Sequence, residues 1–136
     1  MTAMNNGWQP KAGAAHEELA KLATASGPTL PEDYLAFLRV SNGGQGPISV
    51  DPLWLTLDSA DSVADALNNS TFTEFFPGLI VIGSNGAGEG VALDFRLNRE
   101  AGVVHFDMTN ANLRESVQPL AASFTELLAL AGVSGN

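Results

Sequence analysis

The sequence contains no cysteine and only six lysine or arginine residues against fifteen aspartate or glutamate residues. Without cysteine there is no disulfide, no thiolate nucleophile and no thiolate-ligated zinc. The shortage of cations leaves a formal net charge of -9. That charge repels phosphate backbones and anionic lipid headgroups, so nucleic-acid and membrane-surface binding are disfavoured and a basic partner is favoured. Long apolar runs are missing too: Leu79-Ile80-Val81-Ile82 is closed off by Pro77-Gly78 and Gly83, far short of the roughly 20 residues of a membrane-spanning helix. The first ten residues show no basic segment followed by an apolar one, so no secretory signal is read and the cytoplasm is the expected location.

What is present suffices for a folded domain. Hydrophobic residues make up 45% of the 136 and charged residues 15%, which supports one buried core and rules out a charge-rich disordered chain. The expectation is a single domain over 1–136, with 1–11 a loosely ordered N-terminal segment.

Ala15, Leu19 and Leu22 recur at helical spacing in 12–25, opposite Glu17, Glu18 and Lys21, which predicts a surface helix. A second helix begins at Pro31, with Glu32 and Asp33 at its positive end and Tyr34, Phe37 and Leu38 on its buried face. Asn42-Gly43-Gly44 stops it. Ile48–Val50 and Leu53–Leu57 read as short strands, and a short helix capped by Asp58 or Ser59 runs to Leu67. Phe72, Phe75 and Phe76 gather before the turn Pro77-Gly78. Leu79–Ile82, Val91–Phe95 and Val103–Phe106 read as a strand meander. Pro119 opens a final helix whose stripe is Leu120, Phe124, Leu127, Leu128 and Ala131.

Catalytic signatures are scarce. The loop from Gly83 to Gly90 is glycine-rich, but it lacks the Lys-Ser/Thr ending of a phosphate-binding loop, does not fit G-x-G-x-x-G and leads into a strand. It reads as a hairpin connection. His16 and His105 have no metal-ligand spacing. His105 and Asp107 share a strand face, yet no nucleophile accompanies them. Asp94 alternates away from Leu93 and Phe95 and reads as structural. No catalytic residue, metal site or cofactor is expected, and the chain reads as a non-enzyme.

Charge asymmetry is sharper than any motif. From Ile48 to Val91 there is no lysine or arginine, while Asp51, Asp58, Asp61, Asp65 and Glu74 fall within the stretch and Glu89 sits near its end. Trp54 lies in the same region, either as core or as an aromatic anchor for a partner. These seven residues are the candidate partner-binding set.

The order Leu30-Pro-Glu-Asp-Tyr-Leu-Ala-Phe-Leu38, Ser41-Asn-Gly-Gly44, Ile80-Val-Ile-Gly83, Ala92-Leu-Asp94 and Leu120-Ala-Ala-Ser-Phe-Thr-Glu-Leu-Leu128 resembles the SUKH superfamily, which holds bacterial toxin-immunity proteins and fungal cell-wall-synthesis regulators. The resemblance spans roughly Ala15 to Leu130. It implies an α+β fold, with a central, mainly antiparallel sheet carrying N-terminal helices and a C-terminal helix. It also implies binding without catalysis: an immunity protein that neutralises a toxin, often a nuclease, by direct contact. The alternatives are a regulatory scaffold, or a small-ligand or enzymatic domain using the Gly83–Gly90 loop with Asp94 and His105. Pro31, Tyr34, Phe37, Asn42, Gly43, Gly83, Gly86, Asp94 and Phe124 match the family pattern and are expected to determine the fold.

Overall fold

A computed structural model describes residues 8–26, 30–48, 54–69, 78–85, 88–95, 102–107 and 117–131. The elements run β1 (Gln9–Pro10), α1 (His16–Ser26), α2 (Glu32–Val40), β2 (Gly44–Pro47), β3 (Trp54–Leu57), α3 (Ala60–Leu67), β4 (Leu79–Ser84), β5 (Glu89–Asp94), β6 (Gly102–Asp107), β7 (Gln118–Ala121) and α4 (Phe124–Leu130). The seven strands form one antiparallel sheet in chain order. The fold is therefore the expected α+β arrangement.

The main core joins the helices to one sheet face. Leu22 of α1, Tyr34, Phe37 and Leu38 of α2, Val63 and Ala64 of α3 and Phe124, Leu127 and Leu128 of α4 meet Leu55, Leu57, Ile80, Ile82, Val91, Leu93 and Val103 of the strands. Phe124 takes Tyr34 and Phe37 edge-to-face, with ring centroids 5.0 and 5.3 Å apart, the arrangement that aromatic quadrupoles favour. Leu79, Val81, Ala92, Val104 and Phe106 form a second buried cluster. They alternate with the first set along β4, β5 and β6, so they occupy the opposite face. Burial on both faces explains why these strands read as nearly unbroken apolar runs.

The helix starts are held by side chains. Glu18 Oε1 accepts from the Ala15 N–H at 3.1 Å, the return half of a capping box. Ser59 caps α3 by accepting from Ser62 N, and Ser123 caps α4 by accepting from Glu126 N. Helix α2 supplies the remaining links. At its start, Asp33 Oδ2 accepts from both the backbone N–H and the hydroxyl of Thr125 in α4, each at 2.9 Å. Just past its end, Asn42 Oδ1 accepts from Ala60 N at 2.7 Å and Asn42 Nδ2 donates to Glu18 Oε2 at 3.2 Å. Asp33 and Asn42 thereby register α2 against α1, α3 and α4.

Several sequence expectations shift. Helix α1 begins at His16, not near Ala12, because the preceding backbone pairs with the end of α2: Ala14 N donates to Leu38 O and Ala12 O accepts from Asn42 N. That approach is so close that a Cβ on Gly13 would stand 2.1 Å from Arg39 O. Residues Gly44–Pro47 form a strand that the sequence did not mark, where Gly43 and Gly44 take positive φ and lead the chain into the sheet; of the strand expected at Ile48–Val50 only Ile48 is described, and the rest lies outside the described residues. Pro119 does not open the last helix; it lies in β7 and α4 starts at Phe124. Strand β7 is a sheet edge, as is β1 with Pro10, and a residue without an N–H is tolerated there. No periodicity marks residues 8–10, yet Trp8 is buried in the main core against Phe37. The aromatic group Phe72, Phe75 and Phe76 falls outside the described residues.

Candidate functional site

Helices α1 and α3 lie side by side and run in the same direction, since Glu18 is linked through Asn42 to Ala60 while Lys21 reaches Asp61 and Asp65. Their N-terminal ends therefore share one end of the molecule, where Glu17, Glu18, Asp58 and Asp61 gather, with Asp65 one turn further along α3. Acidic residues are favourable at this position because both helix dipoles present their positive ends there.

Asp61 and Asp65 are one turn apart on α3 and share the Lys21 ammonium, at 2.8 and 2.9 Å. These hydrogen bonds, the Asp61 one first, raise the Lys21 pKa above its ordinary value. All three side chains remain largely solvent-exposed, so the pairing contributes little to stability. It does set the local charge: a stretch without cations in the sequence receives one from α1.

Asp58 occupies the two-residue link between β3 and α3 and is half-buried. Its backbone N–H is fixed to Ile82 O at 2.8 Å. Burial pushes its carboxyl above the usual carboxylate range, and the positive charge of Lys11 partly opposes this. Tyr34 is 1% exposed, and among the described residues its hydroxyl has no hydrogen-bond partner. Burial, with a further contribution from the charge on Asp58, drives the Tyr34 pKa upward. Tyr34 was read from the sequence as core alone; its polar end had no signal there, because only the fold brings it near Asp58.

The other candidates separate from this group. Trp54 is half-buried on the sheet face away from the helices, since it alternates with the core residues Leu55 and Leu57, and its indole N–H donates to Thr56 Oγ1 at 3.2 Å. Glu89 lies on β5, two strands from β3, where its carboxylate Oε1 is 2.6 Å from His105 Nδ1. Asp51 and Glu74 lie outside the described residues.

The ligand-binding alternative loses its geometry. Asp94 falls on the face of Ala92, whereas His105 pairs in register with Val91 and shares the other face. The two therefore point to opposite sides of the sheet and line no common pocket. His105 is engaged by Glu89 and not by its strand neighbour Asp107, and Asp107 stands directly opposite Glu89. The described part of the glycine loop closes a β4–β5 hairpin, with Asn85 N donating to Glu89 O and Glu89 N to Asn85 Oδ1. Among the described residues, no group of three or more histidines and carboxylates is placed to hold a metal ion, and no helix is long and apolar enough to cross a membrane.

The residues expected to determine the fold have identifiable tasks. Pro31 precedes α2 as its N-cap, Tyr34, Phe37 and Phe124 form the aromatic stack, and Asn42 joins three helices. Gly43 has φ of 100°, a region that side chains disfavour. A Cβ on Gly83 would stand 2.1 Å from Thr56 O, so β3 reaches β4 only over a bare backbone. Gly86 lies outside the described residues.

No curated protein matches this sequence. The family model of the SMI1 / KNR4 family (SUKH-1) matches residues 13–130, a span that runs from the glycine packed beneath α2 to the last residue of α4. With nearly the whole sheet and all four described helices inside that match, the chain belongs to the SMI1 / KNR4 (SUKH-1) family.

Proposed function

We propose that this chain is an immunity protein of the bacterial kind, a non-catalytic cytoplasmic domain that neutralises a basic toxin, of nuclease type, by direct contact. The observation that carries this reading is the collection of Glu17, Glu18, Asp58 and Asp61 at the shared N-terminal end of α1 and α3, with Asp65 one turn further along α3, in a chain of net charge -9. Family membership supports a protein-binding role. A carboxylate-rich surface would steer a cationic protein into encounter and occupy the groove in which that protein holds phosphates. Glu89, two strands from β3, and Trp54, on the sheet face away from the helices, are less central to the proposed contact than Asp58, Asp61 and Asp65.

The test is association with the protein encoded beside this one, measured by calorimetry as salt is raised from ~0.01 M to ~1 M, which shortens electrostatic screening from about 30 Å to about 3 Å. The expected result is an affinity that falls steeply with salt and falls again when Asp58, Asp61 and Asp65 are replaced by asparagine. Affinity indifferent to both changes refutes the acidic-surface reading.

A further inference from the structure

All four described helices cover one face of the sheet, and the other face has two parts. Over β4, β5 and β6 it carries the second buried cluster. Over β1, β2 and β3 its residues are of another kind. Residues directly opposite one another in an antiparallel ladder share a face. The register therefore aligns Gln9, Gln45, Thr56 and Ser84 in one row across β1, β2, β3 and β4, and sets Pro47 beside Trp54 in the next. Thr56 and Trp54 alternate with the core residues Leu55 and Leu57, which puts both rows on the side away from the helices. Gln9 is exposed and the other five are partly exposed.

This patch is uncharged. The chain has six basic and fifteen acidic residues, yet among the described strand residues of this face only Asp94 is charged, and it lies at the far end of β5. The patch also holds hydrogen bonds of its own: the Trp54 indole N–H donates to Thr56 Oγ1 at 3.2 Å, and Gln45 Nε2 donates to Gln9 Oε1 at 3.4 Å. The first bond fixes the indole along its strand, so Trp54 offers a partner its ring carbons and not its N–H.

An aromatic anchor amid uncharged neighbours is the composition of the centre of a protein interface, from which Lys, Glu and Asp are depleted. Such a patch has nothing to attract a cation, so it does not suit the basic partner assigned to the acidic helix ends. Its occupant must be uncharged at the contact and must tolerate a chain of net charge -9. A second copy meets the first condition with the same patch. It meets the second because a contact through this face leaves Glu17, Glu18, Asp61 and Asp65 of each copy on the side of the sheet away from the other. We propose that the outer face of β1, β2 and β3, centred on Trp54, is a twofold contact between two copies of this chain, with their sheets packed face to face. The surface is separate from the acidic helix ends and does not rest on the toxin-binding reading.

The experiment is sedimentation equilibrium of the full chain from about 1 μM to about 1 mM, at ~0.01 M and at ~1 M salt. A monomer–dimer equilibrium that tightens with salt is expected, because screening removes the repulsion between two acidic copies. That is the reverse of the salt response expected with a basic partner. Gln45→Glu, which adds a carboxylate to each patch and leaves the core untouched, should weaken the dimer about tenfold or more. Trp54→Ala should do the same by removing the anchor. Asp61→Asn combined with Asp65→Asn should leave the dimer at least as tight, and circular dichroism establishes that each variant is folded. Acrylamide quenching of Trp54 should fall as the dimer forms, Trp8 being buried in either state. A chain that stays monomeric throughout in high salt, or a dimer indifferent to either Gln45→Glu or Trp54→Ala, overturns the proposal.

Discussion

Replacing Asn42 by alanine should cost this protein about 1.5–3.5 kcal/mol. The figure follows from two bonds made by one side chain just beyond α2. Oδ1 accepts from the N–H of Ala60 at 2.7 Å, and Ala60 is fully buried at the first position of α3. Deleting that acceptor leaves a buried donor without a partner, worth about 1–3 kcal/mol. Nδ2 donates to Glu18 at 3.2 Å in a less buried setting, and its loss adds about 0.5 kcal/mol. At roughly 3–5 °C per kcal/mol for a chain of this length, the melting temperature should drop by about 5–17 °C. Asn42→Asp separates the two bonds: it keeps an acceptor for Ala60 and replaces the donor facing Glu18 by a like charge. Its cost should be about 1 kcal/mol. Urea unfolding followed by circular dichroism, with unchanged m-values, measures both. An alanine variant within about 0.5 kcal/mol of the parent, or an aspartate variant as damaging as alanine, refutes the view that Asn42 registers α3 against α2.

Gly83→Ala should prevent normal folding, because the new Cβ would meet Thr56 O at 2.1 Å, whereas Gly88→Ala, with φ of 96° but nothing within 4 Å, should cost only about 1–2 kcal/mol of backbone strain; soluble yield and urea midpoints distinguish the two. Trp8→Ala removes a buried ring that packs on Phe37 and should destabilise by about 3–5 kcal/mol, with the remaining tryptophan fluorescence coming from half-buried Trp54. For Asp58 the sign follows from its raised pKa. The folded state holds the proton more tightly than the unfolded chain does, so this contribution to stability is present at pH below the unfolded carboxylate pKa and is lost as pH rises through the folded one. Asp58→Asn should therefore be more stable than the parent at neutral pH, with the difference disappearing in acid; a gap that widens on acidification contradicts the burial argument.

How much of this was legible depended on where each residue keeps its partners. Tyr34, Phe37 and Leu38 could be placed on one face of α2 from spacing alone, since a helix period is local, and β4, β5 and β6 announced themselves by apolar runs buried on both faces. Pro119 misled because proline suits a helix start and a sheet edge equally well, and only pairing with Val104 decides between them. The true start, Ser123 with Glu126 three residues on, was a stronger signal. Within the candidate site, the acidic clustering was visible as a cation-free stretch, but its internal division was not. Lys21 is 40 and 44 residues from Asp61 and Asp65, and neither Tyr34 nor Lys11 is near Asp58 in sequence.

That division bears on what the protein retains and at what cost. A half-buried, unpaired carboxylate at the β3–α3 link opposes folding at neutral pH, and an asparagine of the same shape would relieve it. Asp61 and Asp65, exposed and matched by Lys21, carry no such penalty. If net charge alone served solubility, further exposed carboxylates of the second kind would suffice. A carboxylate that lowers stability belongs with groups kept for contact with something else, in keeping with the general opposition between stability and function at binding sites. The same substitution, Asp58→Asn, should therefore raise the urea midpoint and lower affinity for a basic partner together; a variant that gains stability and keeps its affinity would separate the two and leave Asp58 a carboxylate with no role in binding.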